Sequence, residues 1–231
     1  MSQKNLSFII TSGGKGLRFG KTRKGKQFEL VNGVPIFIYP LKAISKIKNQ
    51  TEIILTIDKS IRTAYIEKLL KKYSLDKNVM VCYGGPTRAR SVFNGFKKIK
   101  RQNGYVVIHD SVRPYFDLKK MNQMIKSINN YSGIILASKI QDTVKKIKNN
   151  NLVKNTIGRD NLWISETPQI FRYSILKKCY EMDLKFFRYT DESELLENNG
   201  FRVRIFENNQ YNNKITTKKD LEIYKLLFKN V

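Results

Sequence analysis

Short apolar runs alternate with amphipathic stretches along this chain, and that alternation predicts its fold class. Six apolar runs predict strands, at residues 6–10, 52–57, 79–83, 105–109, 133–137 and 203–206. Six stretches with apolar residues at helical spacing predict helices, at residues 35–47, 61–72, 89–99, 118–128, 173–182 and 217–228. This order is typical of a mainly parallel sheet with helices on both faces. We therefore predict a Rossmann-like α/β fold, with residues 1–231 forming a single domain.

Residues 139–158 do not follow this alternation of predicted strands and helices. Apolar positions at Ile140, Val144 and Ile147 are followed by three consecutive asparagines, 149–151, and then by a second apolar pair, 152–153. Such a pattern predicts two short strands around an Asn-rich turn. Because an isolated hairpin is marginal in water, we expect it to pack on the domain or on a second subunit.

Composition narrows the class of protein. No apolar run approaches the roughly 20 residues that a membrane helix needs. The apolar run at residues 6–10 is too short for a signal-peptide core, and Cys82 and Cys179 form no metal or redox motif. We therefore expect a cytoplasmic protein with no membrane partner.

The net charge of +25 comes from lysines scattered along the chain rather than gathered in one arm or patch. A general compositional bias explains this distribution better than a nucleic-acid surface does, so we expect no nucleic-acid partner. A basic nucleic-acid-binding α/β domain stays the distant alternative, and it predicts steeply salt-dependent binding. In either case the excess charge attracts anionic ligands.

The first strand runs into a glycine-rich segment, residues 11–20, which contains four glycines. Bare backbone N–H groups in such a loop can bind phosphates, although a structural turn explains the glycines about equally well. The loop is not a Walker A motif. Arg18 and Lys26 are fixed cations close to it, of the kind that lowers the barrier to phosphoryl or nucleotidyl transfer. The alternative for Lys26 is a solvated lysine.

Asp110 directly follows the fourth predicted strand, residues 105–109, at the edge where open α/β sheets bind ligands. Its carboxylate is a hard oxygen ligand placed for Mg²⁺, and Arg113 is close enough to pair with it. An ion pair that orders the loop is the alternative. His109, the single histidine, is interpreted as structural.

Ordered motifs continue through nearly the whole chain. They are Gly13-Gly14-x-Gly16-x-Arg18-Phe19-Gly20 with Lys26-Gln27-Phe28, Gly84-Gly85-x-x-Arg88-x-x-Ser91-Val92-x-Asn94-Gly95, His109-Asp110-Ser111-Val112-Arg113-Pro114, Asp142-Thr143, Arg159-x-x-Leu162-Trp163, Glu166-Thr167-Pro168-Gln169-x-Phe171, Thr190-Asp191-Glu192-Ser193 and Asn213-Lys214-Ile215-Thr216-Thr217-x-x-Asp220-Leu221. This set resembles the 2-C-methyl-D-erythritol 4-phosphate cytidylyltransferases of the non-mevalonate isoprenoid pathway. The resemblance implies transfer of CMP from CTP to that acceptor, with release of pyrophosphate and with Mg²⁺ as cofactor.

The resemblance also implies roles for individual residues. Arg18, Lys26, Arg159 and Lys214 would be catalytic. The residues that would bind CTP are Ser12, Gly13, Gly14, Lys15, Gly16, Gly84, Gly85, Arg88, Ser91, Asp110, Ser111 and Arg113, with Asp110 also as metal ligand. The residues that would bind the acceptor phosphate are Thr143, Arg159, Thr167 and Lys214. In the family the 139–158 arm exchanges contacts across a homodimer, so Thr143 and Arg159 would serve the neighbouring subunit.

Several of these residues have simpler explanations. Gly84 and Gly85 also suit a strand-to-helix turn, and Ser91 suits a helix cap. Asp191 is explained about as well by capping of the following helix. Trp163 and Phe171 are interpreted as core residues.

The segment between Arg18 and Lys26 differs from the family pattern in two ways. It is one residue longer than is usual in the family, and Gly25 replaces the usual proline. Related pentitol-phosphate cytidylyltransferases, such as those that use ribitol 5-phosphate, often have the longer loop, so such an acceptor is the alternative. The motifs beginning at Ser91, Arg159 and Thr190 favour the methylerythritol branch.

Overall fold

A computed structural model describes residues 5–14, 19–20, 25–47 and 51–229. Its strands are β1 (Leu6–Ser12), β2 (Leu30–Val31), β3 (Val34–Pro35), β4 (Thr51–Ile57), β5 (Val79–Tyr83), β6 (Tyr105–Asp110), β7 (Gly133–Lys139), β8 (Val144–Ile147), β9 (Val153–Ile157), β10 (Trp163–Arg172) and β11 (Val203–Glu207). Its α-helices are α1 (Ile38–Ile44), α2 (Thr63–Lys72), α3 (Arg88–Phe96), α4 (Leu118–Ser127), α5 (Tyr173–Met182), α6 (Glu192–Asn198) and α7 (Lys218–Leu227). Short 3₁₀ turns occupy Lys26–Phe28, Asn149–Asn151 and Phe186–Arg188.

Within the described residues, seven strands form the main sheet, in the order β11-β7-β10-β6-β1-β4-β5. β1 pairs in parallel with β4 and β6, β4 with β5, and β7 with β11. β10 is antiparallel to both of its neighbours, β6 and β7. The predicted mainly parallel α/β sheet is therefore confirmed.

Helices cover both faces of this sheet. Alternate residues of β1 point to opposite faces, as strand geometry requires. Phe8 and Ile10 pack in a core with α1, α2 and α4, whereas Ile9 packs in a second core with α3, α5 and α6. All six residues of β6 are buried, which explains why this strand appears in the sequence as a continuous apolar run.

The sequence pattern did not predict β10. Its centre contains Pro168, and a proline argues against an interior strand because it cannot donate to the ladder. The register shifts between Ser165 and Gln169, so Pro168 lies in the irregularity and regular pairing resumes at Gln169.

The predicted helices are present with shifted ends. α1 begins at Ile38 rather than at residue 35, because Pro35 pairs with Leu30 in a small hairpin. Among the described helices, side chains cap four N-termini: Thr87 for α3, Asp117 for α4, Asp191 for α6 and Thr217 for α7. No helix among the described residues combines the length and apolar character needed to cross a membrane.

The segment 139–158 contains the predicted hairpin, in which β8 and β9 pair antiparallel. Asn150 and Asn151 make its turn with φ values of 62° and 59°, a backbone region that asparagine tolerates better than most residues. The hairpin leaves Ile147, Leu152 and Val153 more than half exposed, at 56%, 65% and 61%. We call this hairpin, residues 139–158, the arm, and we describe Arg159, which directly follows it, together with the arm.

Candidate active site

A cleft of about 580 Å³ opens at the carboxyl ends of β1, β4 and β6. This is the edge at which open α/β sheets bind ligands. Its lining is rich in glycine and polar residues: Thr11, Ser12, Gly13, Gly14, Lys26, Gln27, Asp58, Gly85, Pro86, Thr87, Arg88, Ser91, Asp110, Ser111, Val112 and Lys214. Ten of the residues predicted to bind CTP or to act in catalysis therefore share one cavity: Ser12, Gly13, Gly14, Lys26, Gly85, Arg88, Ser91, Asp110, Ser111 and Lys214.

Asp110 is the electrostatic centre of the cleft. Its Oδ2 lies 2.9 Å from Lys214 Nζ and 3.8 Å from Arg113 Nε. Its Oδ1 lies 3.4 Å from Arg88 Nε and accepts a hydrogen bond of 3.1 Å from the Thr11 hydroxyl. Burial acts to raise the pKa of Asp110, but the charges of Lys214, Arg88 and Arg113 outweigh it and hold that pKa well below its usual range. Asp110 is therefore a fixed anion that organises three cations.

Lys26 reaches the cleft from a 3₁₀ turn and is only 7% exposed. The turn is tied to the end of β1, because Gln27 Nε2 donates a 2.9 Å hydrogen bond to the Ser12 carbonyl. Gly25, just before it, has φ of 101°, a conformation that proline cannot adopt because its ring fixes φ near −65°. The glycine at this position is thus a requirement of the turn that carries Lys26.

The Gly84-Gly85 segment packs directly against the start of α3. A Cβ on Gly84 would lie 2.7 Å from Ser91 Oγ, and one on Gly85 would lie 2.5 Å from Arg90 Cβ. Ser91 Oγ accepts a hydrogen bond from the Gly85 N–H at 3.0 Å and donates to the Thr87 carbonyl at 2.9 Å. The interpretation of Ser91 as a helix cap is wrong, since Thr87 is the capping residue and Ser91 lies inside the helix. Ser91 instead holds the turn that forms one wall of the cleft.

The model that describes the family of 2-C-methyl-D-erythritol 4-phosphate cytidylyltransferases matches residues 6–230. The chain belongs to this family. A protein of that name from Clostridium novyi (strain NT) is 34% identical over 229 residues, which cover 99% of this chain and 98% of the relative. One from Bacillus mycoides (strain KBAB4) is 35% identical over 218 residues, covering 94% of this chain and 95% of the relative.

Solved structures agree with the family match. The crystal structure of 4-diphosphocytidyl-2C-methyl-D-erythritol synthase from Anaerococcus prevotii superposes with a TM-score of 0.81 at 32% identity, covering 98% of this chain and 99% of that chain. A family member from Francisella tularensis gives a TM-score of 0.79 at 28% identity, covering 96% and 99%. The prediction of a CTP-dependent cytidylyltransferase of the non-mevalonate isoprenoid pathway is thereby confirmed.

The remaining described residues that were predicted for the cytidylyltransferase site lie outside the cleft lining. Arg113 is buried behind Asp110, where its Nη1 donates to the Asn212 carbonyl. Gly84 is buried beneath Gly85. Thr143 and Arg159 lie exposed on the arm, where Arg159 donates to the Gln141 carbonyl, so the fold does not bring them into this subunit's own cleft. The predictions for Lys15, Gly16 and Arg18 lie outside the described residues.

His109 and Thr167 form a buried hydrogen-bonded pair beneath the cleft. The Thr167 hydroxyl accepts from the Asp110 N–H at 3.1 Å and lies 3.1 Å from His109 Nδ1, while His109 Nε2 lies 2.9 Å from the Arg113 carbonyl. Since a carbonyl only accepts, Nε2 carries the proton and Nδ1 accepts from Thr167. Burial lowers the pKa of His109 to about 4, so the ring is neutral near pH 7. The structure supports a structural role for His109 and shows Thr167 supporting Asp110 from below.

Sequence reasoning missed several contributors to the site. Thr11, Asp58, Pro86 and Thr87 line the cleft without having been singled out, and Val112 lines it although it was only part of a quoted motif. Gln27 stood inside a quoted motif, and its bond to the Ser12 carbonyl depends on a fold contact that spacing does not show. Following the residues just beyond the ends of the predicted strands would have found Thr11 and Asp58.

Three cleft-lining side chains carry buried polar atoms that have no hydrogen-bond partner among the described residues: Ser12 Oγ, Ser111 Oγ and Arg88 Nη2. Buried polar groups are normally satisfied, so these three atoms stand out among the side chains that line the cleft.

The described residues do not themselves make a metal centre. Among them, no group of three or more His, Cys, Asp or Glu side chains could hold a metal ion. Each carboxylate oxygen of Asp110 already has two partners, among them the cations of Lys214 and Arg88. A divalent cation in this cleft would therefore need most of its ligands from a triphosphate and water. That Asp110 contacts Mg²⁺ or its bound waters stays a prediction.

Proposed function

We propose that the described cleft is the site at which this cytidylyltransferase joins CMP to the phosphate of 2-C-methyl-D-erythritol 4-phosphate. A phosphate oxygen of the acceptor attacks the α-phosphorus of CTP and forms the new P–O bond. The bond between the α-phosphorus and its bridging oxygen breaks, and pyrophosphate leaves with that electron pair. Because the attacking phosphate is already an anion, the reaction needs no general base, which agrees with a buried, neutral His109.

One observation carries this proposal: Lys26, Lys214 and Arg88 share a cavity with the glycine amides at the end of β1. Negative charge builds on the α-phosphate oxygens during attack, and cations that are already fixed in place stabilise it without reorganisation. Asp110 fixes two of these cations by ion pairs of 2.9 and 3.4 Å. Arg18 is proposed to join Lys26 at the α-phosphate on the strength of the family motif.

The acceptor phosphate is proposed to be bound by Lys214 from this subunit and by Thr143 and Arg159 from the arm of a second copy. The arm supports this arrangement in two ways. It carries Thr143 and Arg159 on its exposed surface, and it leaves large apolar side chains exposed that a second subunit would cover. We therefore propose a homodimer of single nucleotidyltransferase domains, residues 1–231, that assembles through the 139–158 arm. Mg²⁺ as cofactor and a cytoplasmic location belong to the same proposal.

An acceptor panel tests the function directly. Purified protein is incubated with CTP, Mg²⁺ and either 2-C-methyl-D-erythritol 4-phosphate or ribitol 5-phosphate, and released pyrophosphate is measured. We expect efficient release with the methylerythritol acceptor. Preference for ribitol 5-phosphate would instead support the pentitol alternative, which the longer segment before Lys26 favours. Pyrophosphate release with neither acceptor would reject the proposal.

The same assay tests the nucleotide. Replacing CTP with ATP or GTP should reduce turnover strongly, because a purine is larger than cytosine and the base is proposed to lie against the wall formed by Gly85, Pro86 and Ser91. Equal turnover with a purine nucleotide would contradict this placement of the base.

A further inference from the structure

Arg88 is held at two of its three nitrogen positions. Its Nε faces Asp110 Oδ1 at 3.4 Å, and its Nη1 donates a 2.7 Å hydrogen bond to Glu192 Oε2. Its Nη2 is buried and has no hydrogen-bond partner among the described residues. Because the guanidinium is planar and rigid, fixing Nε and Nη1 also fixes the direction of the Nη2 donors.

Glu192 is an unusual partner for a cleft residue. It is the first residue of α6, 104 positions from Arg88 in the chain, and its side chain is only 2% exposed. A buried carboxylate is costly unless it is paired, and burial raises the pKa of Glu192 even though the charge of Arg88 acts to lower it. Neighbouring Asp191 already caps α6 by accepting from the Glu194 N–H, so the helix does not need Glu192 as its cap.

The ion pairs around Arg88 indicate what Glu192 does in the site. Among the described ion pairs, Arg88 has two acidic partners, Asp110 and Glu192. If Glu192 were removed, Asp110 would be the remaining acidic partner of Arg88, and arginine and carboxylate groups prefer a bidentate pair. Such a pair would turn Nη2 toward Asp110. It would also compete for the carboxylate with Lys214, which lies 2.9 Å from Oδ2.

We infer that Glu192 is a positioning residue for the nucleotide: it anchors Arg88 through Nη1, so that the Arg88 side chain keeps its place in the cleft lining and Asp110 remains available to Lys214. The ligand of this cleft-lining arginine is an anionic or hydroxyl oxygen of the bound nucleoside triphosphate. This inference rests on the proposed binding of CTP in the cleft.

A double-mutant cycle on CTP affinity tests the inference without any acceptor. CTP binding is measured by calorimetry for the wild type, Glu192→Gln, Arg88→Met and the double variant. Losing a charge-assisted contact of about 1.4 kcal/mol corresponds to roughly tenfold weaker binding, and we expect that loss for Glu192→Gln. If Glu192 acts through Arg88, then adding Glu192→Gln to Arg88→Met should change the affinity less than about twofold.

Glu197→Gln provides the matched control, because Glu197 is exposed on the same helix and loses the same charge. It should bind CTP like the wild type. Thermal melting identifies any variant that fails to fold, and the double variant removes both halves of the buried pair, so no unpaired charge stays buried. A purely structural Glu192 would lower the melting temperature while leaving the CTP affinity of the folded protein unchanged.

Steady-state kinetics give a second readout. Glu192→Gln should raise KM for CTP by more than it lowers kcat, because the contact is made with bound nucleotide before the chemical step. The inference is overturned if Glu192→Gln binds CTP like the wild type. It is also overturned if Glu192→Gln lowers the CTP affinity equally in the wild type and in Arg88→Met. In both cases the proposed function stands. A wild-type protein that does not bind CTP overturns both.

Discussion

The cleft and the arm are opposite kinds of structure. In the cleft, charged groups are buried and fixed: Lys26 is 7% exposed, and Asp110 is held by three cations. On the arm, Thr143 and Arg159 lie on the surface of a two-stranded hairpin beside exposed apolar side chains. Under the proposed function, one subunit by itself arranges the nucleotide site, whereas the arm completes the acceptor site of a second copy. The proposal therefore predicts that mutations in the cleft affect chemistry and that mutations on the arm affect acceptor binding and assembly.

The largest expected effect is a loss of turnover when a cation of the cleft is removed. Lys26→Ala should lower kcat by about 10²–10³-fold, because removing one fixed donor to the developing charge has a cost of that order. CTP binding should persist, since Lys214 and Arg88 remain. Steady-state turnover and calorimetry are the measurements, and Lys71→Ala, an exposed lysine on α2, is the control. Normal turnover would remove Lys26 from the mechanism.

On the arm, Arg159→Ala should raise KM for the acceptor by roughly 10–100-fold, as expected for the loss of a charged hydrogen bond to a phosphate. The affinity for CTP should stay the same. Lys154→Ala, which removes a charge from β9 of the same arm, is the control.

Mixing inactive subunits shows whether the arm serves the other subunit. Random dimers of Lys26→Ala and Arg159→Ala chains, co-expressed and assayed at low acceptor concentration, should regain about one quarter of wild-type activity, because half are mixed and each mixed dimer has one intact site. If each arm served its own cleft, no activity would return.

Acid should destabilise the region beneath the cleft in two steps. The pKa of His109 is lowered to about 4, so as pH falls below 6.5 the unfolded chain binds a proton that the folded protein does not. The free energy of unfolding should then fall by about 1.4 kcal/mol per pH unit until pH reaches the folded-state pKa. The depressed pKa of Asp110 adds a separate loss below about pH 4.

Urea denaturation across this pH range measures the first step. The difference in free energy of unfolding between the wild type and His109→Asn should shrink as the pH falls from 6.5 to 4. A difference that does not change with pH would mean that His109 is not held neutral.

The smallest expected effect is a change in the free energy of unfolding when Asn150, at the tip of the arm, is replaced. Asn150→Ala should lower the free energy of unfolding by about 1 kcal/mol, because φ of 62° is unfavourable for alanine, whereas Asn150→Gly should be close to neutral. Chemical denaturation measures both variants. Neither should change CTP affinity, and a change there would show that the arm influences the cleft.

The sequence predicts those parts of this molecule that depend on local pattern. The buried β1 and β6 appear as apolar runs, and the pairing of Asp110 with Arg113 follows from a spacing of three residues. The contacts of Asp110 with Lys214 and of Arg88 with Glu192 each span 104 residues, so only the folded sheet brings them together.

Two aromatic residues also show what the sequence pattern predicts and what it does not. Phe171 is fully buried, as predicted, but the prediction of Trp163 as a core residue is wrong. Trp163 begins β10 beside the end of β7, where Lys139 Nζ lies 5.3 Å from the centre of its ring, and it remains partly exposed. Hydrophobic character alone does not show where along a strand the core ends.

The reversed direction of β10 decides where the arm emerges. The chain leaves β7 at the ligand-binding edge of the sheet and re-enters through the first residues of β10 at that same edge. Had β10 run with its neighbours, the connection would have had to cross to the far side of the sheet and return from there. Because β10 is antiparallel to its neighbours in the described main sheet, both ends of the arm attach at the edge of the sheet where the cleft opens. In the proposed homodimer, a short hairpin would then be long enough to bring side chains to the second subunit's site.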